Sequence, residues 1–213
     1  KLEEKYKSKK TLKIDNNNKK KFSKKSFMTI LSQLRKFISG LQDYKNVTTW
    51  DDYSTNNSYS IEDKNKKIDC VIQFCKKNNF ELIADLGCND GEYSTLSLKN
   101  GCKKVIGFDF DINAINKAYK NSSDENLDFL PLHFDAANPS SNIGWYQKER
   151  KGFIERANFN AIIALAFEHH LSIAKNIPLN EVVAWLISLA PTGLIEFVPK
   201  EDEDFNKGKI VSR

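Results

Sequence analysis

Three carboxylates stand where apolar runs end. Asp85 closes Leu82 to Asp85, Asp109 closes Lys104 to Asp109, and Asp135 follows Leu127 to Phe134. Between the first two lies Gly87-Cys88-Asn89-Asp90-Gly91, a glycine-bearing turn leading into a segment that can begin a helix. Glycines let a ligand approach the backbone closely, and a helix start presents unpaired N–H groups to it. Asp109 falls a little over twenty residues past Gly87, where an acid can accept hydrogen bonds from ribose hydroxyls. The expectation is a nucleotide-like cofactor across the carboxyl ends of parallel strands. A second constellation, Glu168-His169-His170, directly follows the apolar run Asn160 to Ala166. Imidazole titrates near neutrality, so His169 and His170 are candidate general bases; the competing reading is that the rings shape a pocket or cap the next helix.

The elements that must position these groups alternate. Helical spacing runs from Lys66 to Asn78, followed by a strand at Leu82 to Asp85, a helix at Glu92 to Lys99, a strand at Lys104 to Asp109 and a helix at Ile112 to Tyr119. A strand at Leu127 to Phe134, a polar excursion from Asp135 to Arg156, a strand at Asn160 to Ala166, a helix at Leu179 to Leu189 and a strand at Gly193 to Val198 complete the order. Such alternation predicts an α/β fold, a mostly parallel sheet with helices on both faces and ligands at the carboxyl ends of its strands.

Residues 1–26 are expected to form a disordered Lys/Asn-rich tail, 27–62 a helix and an aromatic cap loop, 63–204 the core and 205–213 the end of the available chain. Phe27 to Leu41 sets Phe27, Ile30, Leu31, Leu34 and Ile38 at helical spacing, a stripe expected to pack on its own domain rather than lie on a membrane. Trp50 to Ser60, with Trp50, Tyr53 and Tyr59, reads as a loop that can fold over a ligand. Residues 1–25 hold eleven Lys and three acids, a net +8, so the remaining residues carry −3 of the total +5. The tail is thus either a solvated extension or an RNA or acidic-lipid contact. With 213 residues, 40% hydrophobic and 29% charged, the chain suits one soluble domain. It has no run of eighteen apolar residues and no signal-peptide core, and Cys70, Cys75, Cys88 and Cys102 lack metal-ligand spacing, which predicts free thiols, no metal site and a cytoplasmic protein.

A dinucleotide site needs G-x-G-x-x-G, and Gly87 and Gly91 stand four apart with Asn89 between, so that fingerprint fails. Asp85-Leu86-Gly87-Cys88-Asn89-Asp90-Gly91 instead resembles the D-x-G-x-G-x-G motif of class I S-adenosylmethionine-dependent methyltransferases, with Asn89 in place of the middle glycine. The resemblance implies that Asp85, Gly87 and Cys88 hold the methionyl end, Asp109 the ribose, Phe110 the adenine face, and Asp135 and Ala136 the adenine edge. Leu165 to Phe167 then face the methyl donor. Asn tolerates a left-handed backbone better than most residues, which suits Asn89.

A closer resemblance spans Trp50 to Asp204. The stretches WDDYSTNNSYS, DLGCNDGEYS, PLHFDAANPSSNIGW, Glu149-Arg150, ALAFEHHL, NIPL and IEFVPKED are together similar to the methyltransferase-like group of NoeA-type nodulation proteins. That implies methyl transfer to oxygen or nitrogen of an acceptor it does not identify. Asn-Pro-Pro-Tyr is absent after the fourth strand, which disfavours amino-directed nucleic-acid methylation. Arg150 and Arg156, in an excursion expected to contact acceptor, either bind an anion or pair with Glu149 and Glu155. Two rival readings are a non-catalytic cofactor-binding or interaction protein and an RNA-associated enzyme tethered by the tail. The family's sixth and seventh strands are not discernible after Val198, which implies either a C-terminally truncated core or a sheet edge left exposed, with poor solubility expected.

Overall fold

A computed structural model describes residues 22–41 and 61–198. The expected tail through residue 21, the Trp50 to Ser60 loop and everything from residue 199 onward lie outside the described residues. The chain divides into two compact units, Lys1–Tyr44 and Lys45–Arg213.

In the first unit, α1 (Lys24–Ser39) starts at Ser23, whose hydroxyl accepts from the Ser26 N–H at 3.0 Å, and stops at Gly40. It begins three residues inside the segment read as tail. None of its side chains is buried.

The second unit follows the alternating order: α2 (Ile61–Asn78), β1 (Leu82–Leu86), α3 (Glu92–Lys99), β2 (Lys104–Asp109), α4 (Ile112–Asp124), β3 (Phe129–His133), α5 (Phe153–Arg156), β4 (Ala161–Ala164), α6 (Leu179–Leu189) and β5 (Gly193–Ile195). All strand pairs are parallel, in the order β3-β2-β1-β4-β5. The order reverses between β1 and β4, the switch point at which such sheets open a crevice.

Side-chain alternation divides the core into two layers. Ile83, Val105, Ala161 and Ile163 pack with Val71 and Cys75 of α2 and Ala118 of α4. Ala84, Leu86, Phe108, Ile162 and Ala164 pack on the other face with Phe153 of α5 and Val182, Leu186 and Leu189 of α6. Both faces are covered, which is why the strands read as continuous apolar runs. Asp85 lies one step from Ile83 with the period of two, and therefore points to the α3 side.

Between β3 and β4 the polar excursion forms a short hairpin contact, with Ile143 and Arg150 exchanging N–H···O bonds of 3.0 and 3.1 Å. A 3₁₀ turn at Trp145–Gln147 caps it and leaves Trp145 and Tyr146 largely exposed. Phe153 anchors its return in an aromatic cluster with Phe108, Phe134, Phe159 and Trp185. Among the described residues, no helix is long and apolar enough to cross a membrane.

Candidate functional site

The loop after β1 is built from alternating left-handed residues. Gly87, Asn89 and Gly91 have φ of 76°, 49° and 88°. Asn89 therefore stands in the backbone state that favours glycine, and its amide side chain is among those that tolerate it. A Cβ at Gly91 would lie 2.5 Å from the Phe129 ring, and one at Gly87 would lie 3.0 Å from Phe167. Phe167, carried on the loop after β4, thus lies against the turn after β1.

Gly87 and Cys88 N–H groups both donate to the Phe108 carbonyl, at 2.8 and 3.1 Å, and the Gly91 N–H donates to the Cys88 carbonyl at 2.9 Å. These bonds engage the Gly87, Cys88 and Gly91 N–H groups within the fold. Among the described residues, the Gly87 carbonyl has no donor of its own and remains available as an acceptor. Cys88 is buried, with its thiol against Gly107, and burial pushes that thiol up, out of reach of ionisation.

Asp85 does not face the crevice. It is 3% exposed, and its Oδ2 accepts from the Ser94 hydroxyl at 2.6 Å, so it braces the loop from beneath through the first turn of α3. Burial raises its carboxyl to about 7, against the pull of the Ser94 bond and with a push from Asp109. Ser94 was not among the expected site residues; a small hydroxyl one turn into the helix after a strand-end acid was the available signal.

Asp109 joins three segments. Its Oδ2 accepts from the Asn89 N–H at 2.9 Å, its Oδ1 from the Asp111 N–H at 2.8 Å, and its backbone carbonyl from the Phe134 N–H at 2.7 Å. Burial also raises this carboxyl, against the backbone N–H groups of Asp111 and Asn89. Among the described residues no Lys, Arg or His forms an ion pair with Asp85 or Asp109. Phe110 is half exposed beside the His133 ring at 5.6 Å, with the Lys175 ammonium 5.7 Å from its centroid. Asp135 Oδ1 accepts from the Ala137 N–H at 3.0 Å, and Ala136 packs at the edge of the second core layer. Leu165 packs against the first layer.

The loop after β4 is held by carboxylates from two directions. Ala166, at φ 48°, donates its N–H to Glu196 Oε2 at 2.9 Å, and Val198 donates its N–H to Glu168 Oε1 at 2.9 Å. Glu196 also pairs with Lys67 of α2 at 2.8 Å. Burial pushes the Glu168 carboxyl up, but the adjacent His169 and the Val198 N–H outweigh this and hold it below the ordinary range. His169 is buried, with Nδ1 3.7 Å from Glu168 Oε2, and both atoms lack a hydrogen-bond partner. His170 stacks on His169 at 4.1 Å and opens a π-helical turn, His170–Ala174. Burial, then the neighbouring His169, lowers its imidazole to about 4 against the opposing influence of Glu168. His170 is the more accessible of the two rings, and His169 is turned into the protein. Arg156 donates to Ser140 Oγ at 3.2 Å and to the Gly152 carbonyl at 3.3 Å. Among the described residues, no group of three or more His, Cys, Asp or Glu side chains is placed to hold a metal ion.

A parallel sheet in this order, a glycine turn after β1 and an acid closing β2 define a Rossmann-like α/β protein. The chain is similar to the nodulation protein NoeA of Rhizobium meliloti (strain 1021): 46% identical over 185 residues, 86% of this chain and 39% of that protein. At that identity the two are homologous over the shared stretch, and the chain spans about two fifths of that relative's length. No family model matches. Solved structures with some likeness include the methyltransferase domain of bacterial CtHen1 (15% identity, 67% of this chain and 69% of that chain, TM-score 0.49). Another is the PH0226 protein of Pyrococcus horikoshii OT3 (22% identity, 72% of this chain and 64% of that chain, TM-score 0.46). These are too distant to bear on the reaction.

Proposed function

We propose that this chain binds S-adenosylmethionine and transfers its methyl group to an oxygen or nitrogen of an acceptor not yet identified. The observation that carries this reading is the left-handed glycine-bearing turn after β1, tied to the acid that closes β2 by the Asn89 N–H to Asp109 bond of 2.9 Å. Asp85 and Asp109 sit at the ends of adjacent strands, Asp85 bracing the turn through Ser94 and Asp109 lying beside it. The bound cofactor supplies a methyl group on a sulfonium, an electrophile that needs no metal.

The chain's own residues divide the remaining work. Asp109 has lone pairs left for ribose hydroxyls beyond its two backbone bonds. The exposed Phe110 ring offers an apolar face to the adenine, with Asp135 and Ala136 at its edge. The Gly87 carbonyl accepts from the methionyl ammonium, while Asp85 and Asn89 keep the turn in shape. Leu165 and Phe167 wall the donor side, and His170, neutral at pH 7, accepts the proton that the acceptor's O–H or N–H gives up. His169, the other candidate base, orients His170 by stacking. Free thiols at all four cysteines suit a reducing cytoplasm.

Calorimetry with S-adenosylmethionine tests the reading. Saturable binding is expected, with a loss of at least tenfold in Asp109→Ala. A well-folded protein that takes up no S-adenosylmethionine refutes it.

A further inference from the structure

We propose that α1 docks on an anionic lipid surface, lying in the plane of the headgroups. At 100° per residue, Phe27, Ile30, Leu31, Leu34, Phe37, Ile38 and the following Leu41 fall on one arc about 120° wide. Every one of these side chains is more than two fifths exposed, from 42% at Leu31 to 69% at Phe37. Lys24 and Arg35 border the arc, and Lys25 and Lys36 share the opposite face with Ser32, Ser39 and Thr29.

The charge pattern selects the occupant. From Asn16 to Gln42 the sequence holds seven Lys or Arg and no Asp or Glu. A second copy of the helix would bring like charges together around the apolar seam. An anionic bilayer supplies both requirements at once, acyl chains for the arc and phosphates for the cations, whose long stems let the charge reach the headgroups while the helix sinks. Sixteen residues give a rod of about 24 Å, shorter than the ~30 Å hydrocarbon core, which fixes the in-plane orientation. Docking requires nothing of the methyl-transfer reaction.

The test sediments the whole chain with phosphatidylcholine vesicles with and without phosphatidylserine. Partitioning onto the phosphatidylserine vesicles is expected, weakening as salt rises. Leu31→Glu with Leu34→Glu should reduce it at least tenfold. Gln at Lys24, Lys25, Arg35 and Lys36 should reduce it by about fivefold per charge. In a separate Phe37→Trp variant, the indole emission should shift to the blue when phosphatidylserine vesicles are added. Absence of partitioning, equal partitioning of the double-Glu variant, or an unshifted indole overturns the proposal. So does a vesicle-free dimer that the Glu pair dissociates, which would assign the face to a second copy.

Discussion

Asp85→Asn should remove one buried acid's contribution to the pH dependence of stability. Asp85 is 3% exposed, and its carboxyl sits at about 7 in the folded protein against an ordinary value of 3.8. Between those values the native state keeps a proton that the unfolded chain has released. Stability from this group is therefore fully present below about pH 4 and is lost as pH rises toward 7. The gap corresponds to about 4 kcal/mol. Asparagine keeps an oxygen to accept from the Ser94 hydroxyl and cannot ionise, but it leaves an amide N–H unpartnered at a cost of about 1–3 kcal/mol. The variant should be the less stable protein near pH 4.5 and the more stable one above pH 7.5, by about 1–3 kcal/mol on the alkaline side. Urea unfolding of both proteins at stepped pH measures this, and taking their difference cancels the groups they share. A wild-type minus variant difference that stays flat from pH 4.5 to 8, or rises with pH, would show that Asp85 is not a buried acid holding its proton.

Two further outcomes follow from the same crevice. Gly91→Ala combines a left-handed φ of 88° with a Cβ placed 2.5 Å from the buried Phe129 ring. The expected destabilisation is about 2–5 kcal/mol, read as a lower urea midpoint with unchanged slope, and a midpoint equal to wild type would contradict it. His170 should remain neutral until about pH 4 when its ring proton is followed by NMR. Its folded value is depressed, so its contribution to stability is present above pH 6.5 and lost as pH falls toward 4, a decline that His170→Gln should remove. Ordinary titration near pH 6.5 would contradict the burial that lowers it.

Periodicity and turn chemistry made most of the core readable before its coordinates. α3 and α6 have the bounds that their apolar spacing implied, and β2 ends on Asp109 as expected. The errors lie where a side chain or an unusual backbone angle ends an element. β4 stops at Ala164 rather than Ala166, because Ala166 turns left-handed at φ 48°. β5 stops at Ile195 rather than Val198; Glu196 still donates to the Ala164 carbonyl at 3.0 Å, and beyond it carboxylates replace the backbone ladder. β3 starts at Phe129 rather than Leu127, whose N–H returns to the Ser122 carbonyl at the end of α4. In the site, residue types were legible and directions were not. Nothing in a linear pattern distinguishes an acid that faces a ligand from one that turns to a serine nine positions later, as Asp85 does.

The two glutamates that cross between the strands after β4 and β5 have a kinetic consequence. Glu196 takes the Ala166 amide and Glu168 takes the Val198 amide, so each segment carries the acceptor that the other needs. Fraying of either segment therefore breaks both bonds, one through its amide and one through its carboxylate. Hydrogen exchange at Ala166 and Val198 should accordingly share one opening rate, although the two residues lie on different connections. The wall beside the histidines and the end of the fifth strand then behave as one unit of exchange.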